Sequence, residues 1–369
     1  MNHTPRYNLS TRLFGLLLLL SSTSGCTSIG PATVPRDRVD YVNAIGTSWE
    51  RETLLNIVKL RYGHAPVFLS ITQVVTGYQF QGTASAGLIA STFNPVTNTF
   101  GFSGAATAQG QYTDRPTIIY APLTGVDFLQ KLMTPIPPSA VLFVLQAGYP
   151  ADLIMPLALD SINGISNESR RGMRHAADPR FNRLVELIRD LQLSQAVQAR
   201  IESPKNRSET SLITFPPNRD PQAEAESAEV RKLLGLRPGL QKFEVYYGGY
   251  SGRDNEISMM TRSMLQVMLE LAAVVQVPQS EESERKVTAG LIEQPGNVPQ
   301  PRALLAIMSG TNLPADPSIA VQYDGRWFWI ADDDIRSKSV FAAVMMLFSI
   351  SDIGTKGMGP LVTIPASAG

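Results

Sequence analysis

A single cysteine, Cys26, serves a chain of 369 residues, so no disulfide can form within it. Histidine is nearly as scarce. His3, His64 and His175 stand far apart, there is no His-Glu-x-x-His sequence, and no second thiol could share a zinc ion. A structural zinc site or a metalloprotease centre has no ligands to build on. An excess of charge of either sign is missing too: Lys plus Arg and Asp plus Glu each number 32, with no long basic run, so the cationic footprint that offsets nucleic-acid phosphate is absent. Nucleic acid is not an expected partner. The apolar runs Leu13 to Leu20 and Ser139 to Ala147 are too short to cross a bilayer as helices. A nucleophile elbow is lacking as well, because Gly248-Gly249-Tyr250-Ser251-Gly252 puts Ser251 outside the Gly-x-Ser-x-Gly frame and reads as a strand-ending turn. The reading is non-enzymatic, with no cofactor and no metal.

What is present is a composition that folds, 43% hydrophobic and 17% charged. At the start, Arg6 and Arg12 precede the Leu-rich run, and small polar residues lead to Cys26. Positive flank, short apolar core and small-residue zone are the pattern of an export signal over 1–25. Thr23-Ser24-Gly25-Cys26 resembles a bacterial lipoprotein signal, with Thr23 where that pattern usually carries Leu. The resemblance implies that Cys26 is acylated and becomes the new N-terminus, with membrane lipid as its partner and more than one acyl chain for stable anchoring. Thr27, where Asp would imply inner-membrane retention, points to the cell outer membrane, with the body facing the periplasm.

Residues 26–36 then read as a lipidated tether and 37–63 as an amphipathic helix, with Asp37 as N-cap, Gly46 as the place for a break and Gly63 as the stop. Residues 65–120 switch to period two. An α+β body is expected over 121–277: brief Pro-punctuated helices over 122–165, a helix from Pro179 to Ile201, strands at Ser208–Phe215 and Lys242–Tyr247, and a helix at Ile257–Val275 that puts Met260, Met264 and Met268 on one face, where core filling is the better reading. Residues 278–300 read as a solvated loop. The C-terminal unit, 301–369, contains a hairpin turning at Asp324-Gly325, a helix whose start carries Asp332, Asp333 and Asp334, and a last strand at Leu361–Ile364. The three Asp are read as helix capping rather than a metal site, and Trp327-Phe328-Trp329 as buried on the hairpin.

The segments Leu54–Gly63, Arg115–Tyr120 and Gly325–Ile330 together resemble a family of proteobacterial envelope lipoproteins. That resemblance implies an envelope location; it carries no known activity and so adds no functional residue.

The most informative stretch runs from Tyr62 to Thr113, which contains no Asp, Glu, Lys or Arg; at 17% charged, chance leaves a named window of that length empty with a probability on the order of 10⁻⁴. Something excludes charge there. One alternating set reads Tyr78, Phe80, Ala84, Ala86, Leu88, Phe100, Phe102, Ala106, Ala108 and Tyr112; the other reads Gln79, Gln81, Thr83, Thr107, Gln109 and Gln111. The first set is the candidate membrane-facing side, the second the candidate lumen-facing side. Two such strands match the transmembrane β pattern, but two strands leave open edges that hydrocarbon does not tolerate. Three readings stand: copies pool their hairpins into one outer-membrane barrel or channel for export or envelope transport, similar in plan to curli-secretion lipoprotein channels; the hairpin is an arm that docks on an envelope protein or another copy; or it is an internal core sheet. The register expected from matched residue types pairs Tyr78 with Tyr112, Ala84 with Ala106, Gln81 with Gln109 and Thr83 with Thr107, with the tip at Asn94-Pro95-Val96.

Overall fold

In the computed structural model the described residues are 29–75, 78–90, 102–114, 117–168, 176–202, 210–217, 220–250, 252–288, 290 and 304–351. Cys26, Phe100, His175, Ser251, the tip at 94–96 and the strand expected at 361–364 lie outside them. The fold is α+β, and among the described residues no helix is long and apolar enough to cross a membrane. Two compact units form: the described parts of 1–46 and 74–118, and those of 47–73 and 119–369.

The first helix, α1, spans Ile29–Arg61. It starts before the expected Asp37 cap, contains Pro35 and runs through Gly46 without a break. One helical glycine costs only about 1 kcal/mol relative to Ala, too little to interrupt so long a ladder. Gly63, at φ +73°, follows the helix end as expected. In the larger unit, Leu54, Ile57, Val58 and Leu60 are buried at helical spacing. Asn56, also buried, ties the helix to the entry of strand β1 (Phe68–Val75): its Nδ2 donates to Val67 O at 2.7 Å and its Oδ1 accepts from Val67 N at 2.9 Å.

Strands β2 (Tyr78–Ala90) and β3 (Phe102–Asp114) come next, then β4 (Thr117–Leu123), which pairs with β1 in a two-stranded sheet. Helices α2 (Val126–Met133), α3 (Pro138–Gln146) and α4 (Ala151–Ala158) fill the Pro-punctuated segment. Strands β5 (Leu159–Ile162) and β6 (Ile165–Ser166), helix α5 (Pro179–Leu193), strands β7 (Gln198–Glu202) and β8 (Thr210–Thr214), helix α6 (Pro221–Leu233), and strands β9 (Lys242–Tyr247) and β10 (Glu256–Thr261) complete the body. Their sheet has the order β6-β5-β10-β9-β8-β7. Its neighbours pair antiparallel except β9–β10, which is parallel with Val245 opposite Ile257. Strand β9 ends at Tyr247, as the strand-ending reading of Gly248 and Gly249 expects, and the chain reaches the parallel strand β10 through Gly252 at φ +76°.

Two further helix boundaries differ from expectation. Helix α5 stops at Leu193, because Gln195 turns left-handed at φ +55° and Ile201 belongs to β7. Ile257 to Thr261 is strand rather than helix, and the helix after it, α7, spans Met264–Ala272. Its start is a capping box, with Ser263 Oγ accepting from Gln266 N and Gln266 Oε1 accepting from Ser263 N. Met260 therefore shares no helix face with Met264 and Met268, which are buried in the core.

A short helix, α8 (Gln279–Ser283), and a three-stranded sheet of β11 (Met308–Gly310), β13 (Arg326–Ala331) and β12 (Pro317–Tyr323) lead to α9 (Ile335–Ile350). Asp324 and Gly325, at φ +47° and +74°, make the expected hairpin turn. Asp334 caps α9, accepting from Ser337 N at 3.0 Å and from Ser337 Oγ at 2.6 Å. On β13 Phe328 and Ile330 are buried, while Trp327 and Trp329 are only half-buried, so the expectation that the whole trio is buried holds for its centre alone.

Candidate functional site

Strands β2 and β3 pair antiparallel over 13 residues each, from Tyr78 opposite Asp114 to Ala90 opposite Phe102. Among the described strands they pair only with each other. Of the first alternating set, Tyr78, Phe80, Ala84, Ala86 and Leu88 lie on β2 and Phe102, Ala106, Ala108 and Tyr112 on β3. Of the second, Gln79, Gln81 and Thr83 lie on β2, while Thr107, Gln109 and Gln111 lie on β3 and are exposed. None of the described strands of the six-stranded sheet pairs with β2 or β3.

The register departs from the expected one by two residues. Phe80 stands opposite Tyr112, Ala84 opposite Ala108, Ala86 opposite Ala106, Gln81 opposite Gln111 and Thr83 opposite Gln109. A slip of two keeps each residue in its alternating set, so matching residue types could not discriminate the two registers. The observed one puts Phe80 opposite Tyr112, an aromatic pair of the kind favoured at directly opposed positions.

Outside the hairpin, the polar residues buried in the body hold elements together. Asn163, at φ +44°, donates to Leu234 O at 2.7 Å and accepts from Ser258 N at 2.7 Å, tying the β5–β6 turn to β10 and the end of α6. Arg262, only 2% exposed, donates to Pro156 O at 2.8 Å and to Glu168 O, and faces Asp160 and the equally buried Glu270 at 3.6 and 3.9 Å. At the end of α1, Arg61 pairs with Glu282 and donates to Thr288 O. Beside it the Tyr62 hydroxyl donates to Glu281 Oε2 at 2.7 Å; burial and this carboxylate hold Tyr62 well above the usual phenol range. Tyr323 packs edge-on against Tyr62 and touches His64. Within the stretch read as a solvated loop, 278–300, residues 279–283 form α8 instead, latched to the end of α1 by Glu281 and Glu282, while most of the described residues there are exposed as expected; 291–300 lie outside the described residues. No local signal in either segment announces the other.

Among the described residues no group of three or more His, Cys, Asp or Glu is placed to hold a metal ion. Comparison with protein-family models, with curated proteins and with solved structures found no match. The hairpin is therefore the feature that sequence and geometry single out together.

Proposed function

We propose that this chain is an outer-membrane lipoprotein, anchored through acylated Cys26, whose copies contribute their β2–β3 hairpins to one closed barrel that serves export or envelope transport. One observation carries the reading: a 13-pair hairpin, without charge up to Asp114 at its end, whose strands have no other partner among the described strands. Its length supports the membrane. At about 3.4 Å per residue, 13 residues extend about 44 Å, and a tilt near 45° reduces this to about 31 Å, against a hydrocarbon core of about 30 Å. A docking arm has no need of that length.

Open edges supply the reason for assembly. Each unpaired backbone group in hydrocarbon costs several kcal/mol, so strand edges must close on other copies. Transmembrane barrels start at about 8 strands, so two per copy require at least about four copies. Lipid-facing and lumen-facing positions follow from the alternation, with Gln and Thr lining the passage.

The deciding measurement is the mass of the full lipidated chain in mild detergent. A discrete oligomer of four or more copies is expected. A strictly monomeric mass across a range of concentrations overturns the barrel and leaves the hairpin as an arm for an envelope partner.

A further inference from the structure

The larger unit holds a cavity of about 450 Å³ between the six-stranded sheet and helices α3, α4 and α5. Folded interiors contain few voids larger than a water molecule, and this space is of the size of small-molecule sites. Its walls are aliphatic: Leu142, Met155, Leu184, Ile213, Ile257 and Met259 all face it, and no charged residue lines it. Water gains few hydrogen bonds there. Gln192, a polar residue in the wall, is already committed, donating to Leu145 O and Tyr149 O and accepting from Ala151 N.

Besides Gln192 the wall carries Gln195, and charge is found only beyond a shared rim. Gln146, Gln198 and Ala199 line both this cavity and an adjoining groove of about 550 Å³, whose remaining lining includes Arg200 and Lys242. An apolar chamber that opens onto a rim with two cations and two amides matches a molecule with a long apolar tail and an anionic head. The two methionines add adaptable surface, suited to a flexible chain rather than to one rigid ring.

We propose that the body binds a single-chain anionic amphiphile, a fatty acid or a monoacyl phospholipid, with its acyl chain in the cavity and its head at Arg200 and Lys242. Neither the hairpin nor the lipid anchor enters this inference.

The test is photolabelling of the full chain in nanodiscs with a palmitate analogue that carries a diazirine in its chain, followed by peptide mapping. Saturable labelling is expected on peptides from α3–α4, α5 and β10, with suppression by excess palmitate. Ala199→Trp, at the shared rim, should lower that labelling at least about tenfold. Arg200→Ala with Lys242→Ala should raise the half-saturating concentration of the acid about tenfold, the worth of a charge-assisted contact, and leave that of the matching diazirine alkanol unchanged. Labelling that does not saturate, that falls only on β2–β3 peptides, or that is indifferent to Ala199→Trp overturns the proposal. Equal loss for acid and alkanol overturns the placement of the head.

Discussion

An arginine at the centre of the hairpin separates a membrane strand from a surface arm. The ladder runs from Tyr78 opposite Asp114 to Ala90 opposite Phe102, so its middle pair is Ala84 opposite Ala108. In a spanning hairpin that pair lies near the bilayer midplane, where a lipid-facing Arg costs about 2–4 kcal/mol, falling to about 0–1 near the interfaces. At about 1.4 kcal/mol per decade, Ala84→Arg or Ala108→Arg should weaken assembly by a factor of about 30 to 1,000 for each copy. A barrel of identical copies repeats the cost in every subunit, so oligomer should disappear rather than decline. Thr83→Arg and Gln109→Arg occupy the neighbouring pair on the lumen side and should assemble, changing only conductance. Ala90→Arg, at the end of the ladder, should be milder than Ala84→Arg. Native electrophoresis of membrane extracts, with total protein measured alongside, reads all five variants. Equal tolerance of Ala84→Arg and Thr83→Arg, or equal damage from Ala84→Arg and Ala90→Arg, refutes the membrane assignment.

The register has its own check: in a Cys26→Ser background, cysteines at 81 and 111 should join on mild oxidation while cysteines at 81 and 109 should not, because only directly opposed residues bring their Cα atoms within about 7 Å reliably. Arg262→Met leaves Glu270 buried beside an apolar chain and should cost about 3–5 kcal/mol in urea unfolding, and Arg262→Met with Glu270→Met should cost less than the two single changes added. Asn163→Ala strips Leu234 O and Ser258 N of their partner and places Ala at positive φ, so a loss of about 2–4 kcal/mol is expected by the same measurement. Glu52 is held above the usual carboxylate range by burial, against the opposing pull of the Leu69 N–H and of Lys59. The folded state thus binds its proton more tightly than the unfolded chain, and stability is lost as pH rises through that raised value. Glu52→Gln should therefore stabilise the protein at pH 7 and match the parent near pH 3, in thermal unfolding at both; an equal effect at the two pH values would reject the assignment.

What the sequence disclosed, and what it hid, divides by the distance over which each signal acts. Exclusion of charge and period-two alternation are local, so both hairpin strands were legible from residues 77–113 alone. The Asp324-Gly325 turn and the Asp-rich start of α9 were legible for the same reason. The β10–α7 boundary was legible in principle and was obscured by the stronger 3.6-residue pattern running through Met260, Met264 and Met268. Ser263-x-x-Gln266 spells a capping box inside that pattern, and the cap marks where the helix begins. Period alone cannot separate a short buried strand from the helix that follows it, since both are apolar throughout.

Other features were hidden because nothing local encodes them. The α1–α8 latch joins Arg61 and Tyr62 to Glu282 and Glu281 across more than two hundred residues, and the Asn163 and Arg262 clamps act over about a hundred. The cavity is hidden in a stronger sense. Each wall residue reads as an ordinary core position, and only the arrangement of α3, α4 and α5 over the sheet leaves their inner ends unmet. The hairpin and the cavity consequently differ in kind. In the hairpin, composition forbids charge and geometry supplies length and register; in the cavity, geometry supplies the space and composition chooses the occupant. Either role can fail without the other, because oligomer mass is read at β2–β3 and photolabelling is read at the sheet and helices of the body. If both stand, the chain meets lipid along the hairpin and inside the body, and with the proposed acylation of Cys26 it would meet lipid a third time, a repetition that an envelope location would select.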